Sequence, residues 1–84
     1  MHVVYRKNFD KKFKKLPEKI KNQFYSRIAI FIADPLDTRL NNHSVEKVFP
    51  SCRSINITGD YRAIFYEEDD VVFFIMIGTH SELY

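Results

Sequence analysis

Arg53 to Tyr84 read RSINITGDYRAIFYEEDDVVFFIMIGTHSELY, and this stretch decides the fold. Three runs rich in Val, Ile, Phe and Tyr are separated by Thr58-Gly59-Asp60 and by the acidic tip Glu67-Glu68-Asp69-Asp70. Runs of β-branched and aromatic residues bounded by turn formers predict a three-stranded antiparallel meander. Period two puts Arg53, Ile55 and Ile57 on one side of the first strand, with Cys52, Ser54 and Asn56 on the other. In the last strand Val71, Phe73, Ile75 and Ile77 share a side, and Val72, Phe74 and Met76 share the opposite one. Both sides are apolar, so each needs a cover. Helices of the same chain supply one cover, and the stripe Val72, Phe74 and Met76 is expected to stay open for a protein partner.

Upstream, His2 to Arg6 is short and β-branched, as an N-terminal strand added to the sheet would be. Asn8 is the expected cap of a first helix, in which Phe9, Phe13 and Leu16 form one apolar stripe among lysines. Pro17 with Glu18 suits the first turn of a second helix, where Ile20, Phe24, Ile28 and Phe31 or Ile32 continue the 3.6-residue period to Ala33. Ile28 to Ala33 is apolar all round, so this end is expected to be buried against the sheet. Asp34-Pro35 stops the helix, Asp37 to Ser44 reads as a polar loop, and Pro50 argues against a long strand after it. The expected architecture is α+β: an N-terminal strand and two helices packed on one face of a mainly antiparallel four-stranded sheet, all in one domain over residues 1–84.

Eighty-four residues bury only roughly 60–65% of their unfolded surface, enough for one modest core. With 45% hydrophobic residues the chain is globular rather than disordered. Neither an apolar run of membrane-spanning length nor a signal peptide is read in it, and Cys52 has no second cysteine to pair with, so a reducing cytoplasm is the expected setting. Charge is uneven: residues 1–50 net +6 and residues 51–84 net −4. A basic half attracts nucleic acid or another polyanion, and equally serves as a solvated helix face.

The polar residues narrow the chemistry. A metal site needs three or four close ligands, and one Cys with three scattered His and no CxxC or HxH spacing argues against one. Ser81 beside His80, or Cys52, lacks the glycine-flanked elbow of a hydrolase nucleophile. RNA cleavage fits better. Attack of a 2′-hydroxyl on the neighbouring phosphate needs a base, an acid and positive charge for the developing phosphorane. His43, Asp60, Arg53 or Arg62, His80 and Tyr84 are the candidates, Asp60 also being a favoured turn residue and Tyr84 a platform for base stacking.

The runs RSINITGDYRAIFYEEDD and IGTHSELY resemble toxins of bacterial type II toxin–antitoxin systems in the RelE/ParE superfamily, of the RelE/StbE type and nearest its YafQ branch. The resemblance implies the strand, two helices and meander read above. It further implies a ribosome-dependent mRNA endoribonuclease without a cofactor, held in a hetero-oligomer by an antitoxin that is expected to cover the stripe Val72, Phe74 and Met76. By the same resemblance His43 stands where the family has a histidine after the second helix, Asp60 matches the family aspartate, His80 the motif histidine and Tyr84 the terminal aromatic. Asn56 replaces a further histidine, which removes a base, and Tyr61 stands where the branch often has tryptophan. Met76 replaces an arginine that stabilises the phosphate. One such donor is worth about 2.7–4 kcal/mol, or about 100- to 1,000-fold in rate. Arg53 or Arg62 is expected to take over that role, with Tyr61 and Asn56 in the substrate site. The alternatives are a gyrase-directed toxin of the ParE kind and a weak relative that only binds its antitoxin.

Overall fold

In the computed structural model, which describes residues 1–84, the chain runs β1 (His2–Tyr5), α1 (Lys7–Lys14), α2 (Glu18–Ala33), a 3₁₀ turn (Thr38–Leu40), β2 (His43–Ser44), β3 (Arg53–Asn56), β4 (Tyr61–Glu68), β5 (Val71–Thr79) and α3 (His80–Leu83). The expected α+β class holds, with one more strand than the four foreseen. The sheet order is β1-β5-β4-β3-β2, antiparallel except for the parallel pair β1 and β5. The extra strand is the two-residue β2, paired with β3, too short to show as a β-rich run.

β1 returns at once into α1, whose first turn closes on Arg6 O through the Asp10 N–H, 3.0 Å. The expected Asn8 cap is not formed: the helix begins two residues earlier, at Lys7, and its cap residue Arg6 makes no side-chain bond. α2 begins at Glu18, and Pro17, expected in its first turn, takes the position just before it, where its fixed φ suits the residue that leads into a helix. Phe24, Ile28 and Phe31 are buried, but Ile32 is 53% exposed and Tyr25 56% exposed. The end of α2 is therefore buried on one face only, since a helix lying flat on a sheet covers a single stripe of itself whatever its composition.

Between the helices and the sheet lies one core of Phe9, Phe24, Phe31, Phe65, Phe74 and the aliphatic side chains around them. Phe74 is wholly buried, with its ring centroid 5.4–5.9 Å from those of Phe9, Phe24, Phe31 and Phe65. Val72 is equally buried in this core. This corrects the expectation that Val72, Phe74 and Met76 form an open stripe. With both sides of β5 apolar, alternation alone does not tell which side the helices take, and they take that of Val72 and Phe74.

Met76 does not follow its expected neighbours. Phe65 is opposite Phe74 while Ile64 is opposite Met76, so β5 carries one extra residue, Ile75, at a β-bulge. A bulge flips the alternation beyond it. Ile77 thus joins the helix-side core, and Met76 packs on the other face against a smaller cluster of Val45, Cys52 and Ile64.

At the chain's end, Thr79 and Glu82 form a capping box: Thr79 N–H donates to Glu82 Oε1 at 2.8 Å, and Glu82 N–H to Thr79 Oγ1 at 3.3 Å. Lys12 Nζ adds a bond to Glu82 Oε2 at 3.3 Å and ties α3 to α1. The Thr79 N–H, then the Thr79 hydroxyl and Lys12, hold the Glu82 carboxyl below its ordinary value of 4.5.

Two outcomes follow from the packing and the cap. Phe74→Ala should cost about 3–5 kcal/mol, read as a lower urea midpoint, and Phe74→Asp should give an unfolded chain, because total stability for such domains is only about 5–15 kcal/mol. The contribution of Glu82, whose folded-state pKa is lowered, is present above about pH 4.5 and lost as pH falls below it. Amide exchange of Leu83 and Tyr84 should accelerate there before the sheet opens, and Glu82→Gln should remove most of that acid-dependent step.

Candidate active site

The cleft lies on the sheet face away from α1 and α2, and strand register builds it row by row. His43, Ser54, Ile64 and Met76 stand opposite one another across β2, β3, β4 and β5, so their side chains point to one face. The next row on that face is Asn56, Arg62 and Gly78. Gly78 has no side chain, and α3 folds over the gap: a Cβ there would meet Glu82 Oε1 at 3.2 Å and Leu83 Cδ2 at 3.4 Å. The result is an open cleft of about 350 Å³ lined by Asn41, His43, Val45, Arg62, His80 and Tyr84.

His43 is aimed by the loop before it. The Asp37 carboxylate accepts bonds from Arg39 Nε (3.0 Å) and Nη2 (2.9 Å) and from the Arg39 backbone N–H (2.9 Å), and these, the side-chain bonds first, hold its pKa down to about 2. Arg27 of α2 binds the Arg39 carbonyl at 2.9 Å, and Leu40 is buried. Asn41 then turns the chain in the left-handed region, φ 48°, which Asn tolerates better than most residues. Its carbonyl accepts a bond of 2.7 Å from His43 Nδ1. A carbonyl cannot donate, so Nδ1 carries the proton and a neutral His43 has its lone pair on Nε2, free to take a proton.

On the far wall His80 opens α3, its backbone N–H bonded to the Asp60 carbonyl at 3.0 Å and its ring 4.8 Å from that of Tyr84. Tyr84 also meets Phe49 edge-on at 6.5 Å. Arg62 lies between the two histidine walls. Its Nη1 donates to the carbonyls of Thr58, Gly59 and Tyr61 at 3.0–3.1 Å, which pins one nitrogen of the fork and leaves Nη2 and Nε without a protein acceptor.

Four of the expected residues therefore meet in one cleft: His43, Arg62, His80 and Tyr84. Asn56 stands beside Arg62 on the same face, its Oδ1 buried without a partner. The others are elsewhere. Arg53 lies with Ile55 on the helix side and is held by Asn42, Nε to Oδ1 at 2.7 Å and Nη2 to O at 3.3 Å. Tyr61 packs against the helix-side core, because it precedes Arg62 by one and period two sends neighbours to opposite faces. Both corrections reduce to strand parity. Asp60 sits in the exposed turn and contributes its carbonyl to His80, while its carboxylate does not line the cleft. Cys52 is buried, and burial, then Glu46, push its thiol pKa up, away from nucleophile chemistry.

Asn41 and the capping pair Thr79–Glu82 escaped the reading. The Thr-x-x-Glu spacing was a usable signal for the cap. Nothing local marks Asn41, whose role appears only once its carbonyl meets His43.

Among solved structures the fold recurs in YafQ from E. coli strain BL21(DE3), 20% identical with TM-score 0.81, over 98% of this chain and 96% of that one. A metal-bound toxin from Helicobacter pylori matches at 20% identity and TM-score 0.72, covering 100% and 99%. The RelB–RelE antitoxin–toxin complex from Methanococcus jannaschii matches at 20% identity and TM-score 0.76, covering 98% and 95%. No curated protein sequence matches. At these identities the structures speak for the fold, whereas the family model for the bacterial toxin YafQ matches residues 1–84. A match from the first residue to the last makes this chain a member of the YafQ family of bacterial toxins of type II toxin–antitoxin systems.

Proposed function

We propose that this toxin is an mRNA endoribonuclease acting in the cytoplasm on messages held by the ribosome, and that an antitoxin neutralises it in a hetero-oligomer. The observation that carries the reading is the cleft that joins two histidines from opposite ends of the fold to an arginine and an aromatic ring. His43 Nε2 takes the proton of the 2′-hydroxyl as its oxygen bonds to phosphorus. His80, in its protonated form, gives a proton to the departing 5′-oxygen, and the products are a 2′,3′-cyclic phosphate and a 5′-hydroxyl. Arg62 faces the charge that grows on the phosphorane oxygens with the two guanidinium nitrogens its carbonyl anchors leave free. Tyr84, 42% exposed, offers a face on which a base of the single-stranded message stacks.

A gyrase-directed toxin would have no use for an imidazole with its Nδ1 proton fixed on a carbonyl, so the geometry favours cleavage. Met76 belongs to the small apolar cluster, and Arg62 is the one arginine or lysine lining the cleft. Transition-state charge therefore rests on a single guanidinium. The antitoxin reading draws on the toxin family and on relatives solved as antitoxin complexes.

His80→Ala should lower cleavage of a ribosome-bound message about 100- to 10,000-fold and end growth inhibition, while circular dichroism stays that of the parent, because the exposed ring supports little packing. His43→Ala should lose about 10- to 100-fold. Primer extension on the message after induction reads both, and full toxicity of a normally expressed His80→Ala removes the assignment.

Arginine and lysine separate phosphate binding from mere charge. Arg62→Lys keeps the charge but loses the planar fork, and should cut the rate about 10-fold or more, whereas Arg53→Lys should cleave at the parent rate.

A further inference from the structure

Tyr84 is a wall shared by two cavities. One is the cleft; the other, of about 300 Å³, is lined by Ser44, Val45, Glu46, Lys47, Val48 and Tyr84. The proton transfers and the phosphate contact described above leave this second cavity unused. Its walls are of two kinds. Val48 and Tyr84, 48% and 42% exposed, offer apolar surface, and Glu46 and Lys47 offer charge. The loop that carries them is closed at its base. Val45 N–H donates to the Cys52 carbonyl at 3.0 Å, Cys52 N–H donates to the Phe49 carbonyl at 3.0 Å, and the Val48 and Phe49 N–H groups both donate to the Val45 carbonyl at 2.9 Å.

Within that loop the Glu46 carboxylate is aimed. Ser51, in the left-handed region at φ 63°, donates its N–H to Glu46 Oε2 at 2.6 Å. No cation lies within ion-pairing distance of the carboxylate, and Oε1 accepts nothing from the protein. Beside a phosphodiester site such a group repels the substrate backbone, so it gains only from hydrogen-bond donors. On a base stacked against Tyr84 those donors lie along the edge. Guanine brings two neighbouring ones, N1–H and the N2 amino group, which match two carboxylate oxygens; each oxygen accepts two bonds, so Oε2 keeps one acceptor site beside the Ser51 N–H. Adenine and cytosine bring one amino group each. Uracil brings one N–H between two carbonyl oxygens, which repel a carboxylate.

We propose that this second cavity binds the base of a nucleotide next to the cut and that Glu46 selects guanine there, the base lying against Tyr84 and Val48 with its N1 and N2 donors on the carboxylate. Val45 and Tyr84 line both cavities, so a message whose phosphate lies at Arg62 reaches the base site with an adjoining nucleotide. Glu46 is a specificity residue, and the proton transfers stay with His43 and His80. The inference deepens the endoribonuclease reading above and rests on it.

The test uses ribosomes programmed with messages that differ only in the bases flanking the cut, with primer extension as the readout. The parent should cut a message with guanine at one flanking position about 10- to 100-fold faster than its uracil counterpart, the range for hydrogen bonds to a charged group. Glu46→Gln keeps an oxygen for the Ser51 N–H but sets a donor against the donors of guanine. It should retain the parent urea midpoint and bring the two rates within about 2-fold of each other. Glu67→Gln, at the acidic tip outside both cavities, removes the same charge and should keep the parent ratio. A parent that cuts guanine and uracil messages alike, or a guanine preference that survives in Glu46→Gln, overturns the base site and leaves the nuclease reading standing. A parent that cleaves no ribosome-bound message overturns the nuclease reading and this inference with it.

Discussion

The β-bulge at Ile75 is the constraint on which the rest of the molecule depends. Before it, Val72 and Phe74 look toward the helices; after it, Ile77 takes over that side and Met76 and Gly78 turn to the cleft. One extra residue thus lets a single strand serve a core on one face and a site on the other. Were β5 regular, Gly78 would lie beneath the helices. The gap that receives α3 would then open on the wrong side, and His80 and Tyr84 would be carried away from His43.

A cleft made of distant segments requires each wall to be fixed separately. The near wall depends on a short relay: α2 binds the Arg39 carbonyl, Asp37 grips the Arg39 side chain, and Asn41 turns the chain so that its carbonyl sets the His43 tautomer. The far wall depends on a four-residue helix, too short to be stable alone. Its capping box, its seat on Gly78 and its bridge to Lys12 supply what length does not. α1 therefore has a part in the site even though its aromatic face lies in the core on the other side of the sheet.

Met76 and Arg62 show how packing and charge are divided on this face. Met76 lies beside Ile64 and packs on the small apolar cluster of Val45, Cys52 and Ile64, space that a thioether fills well. Arg62 lies one row further, where Gly78 and the turn carbonyls of Thr58 and Gly59 leave both room and acceptors. Arg53 has the same charge but is spent on Asn42.

The sequence by itself determined the classes of element and the inventory of chemistry. Apolar period, turn residues and Pro17 marked the helices and the meander, because these signals are local and each comes from backbone preference or from burial of one face. The GTHSELY ending and the loop histidine marked the groups that the cleft unites. Tertiary structure alone decided which face of β5 the helices cover, since Val72-Phe74 and Phe73-Ile75 are equally apolar stripes. It alone decided the bulge, which comes from pairing with β4 and has no glycine or proline to announce it. From those two choices followed the burial of Phe74, the packing of Tyr61 and the place of Arg62, rather than Arg53, in the lining of the cleft. Strand parity converts a shift of one residue into a change of face, and parity is a property of the paired sheet that a single strand does not carry.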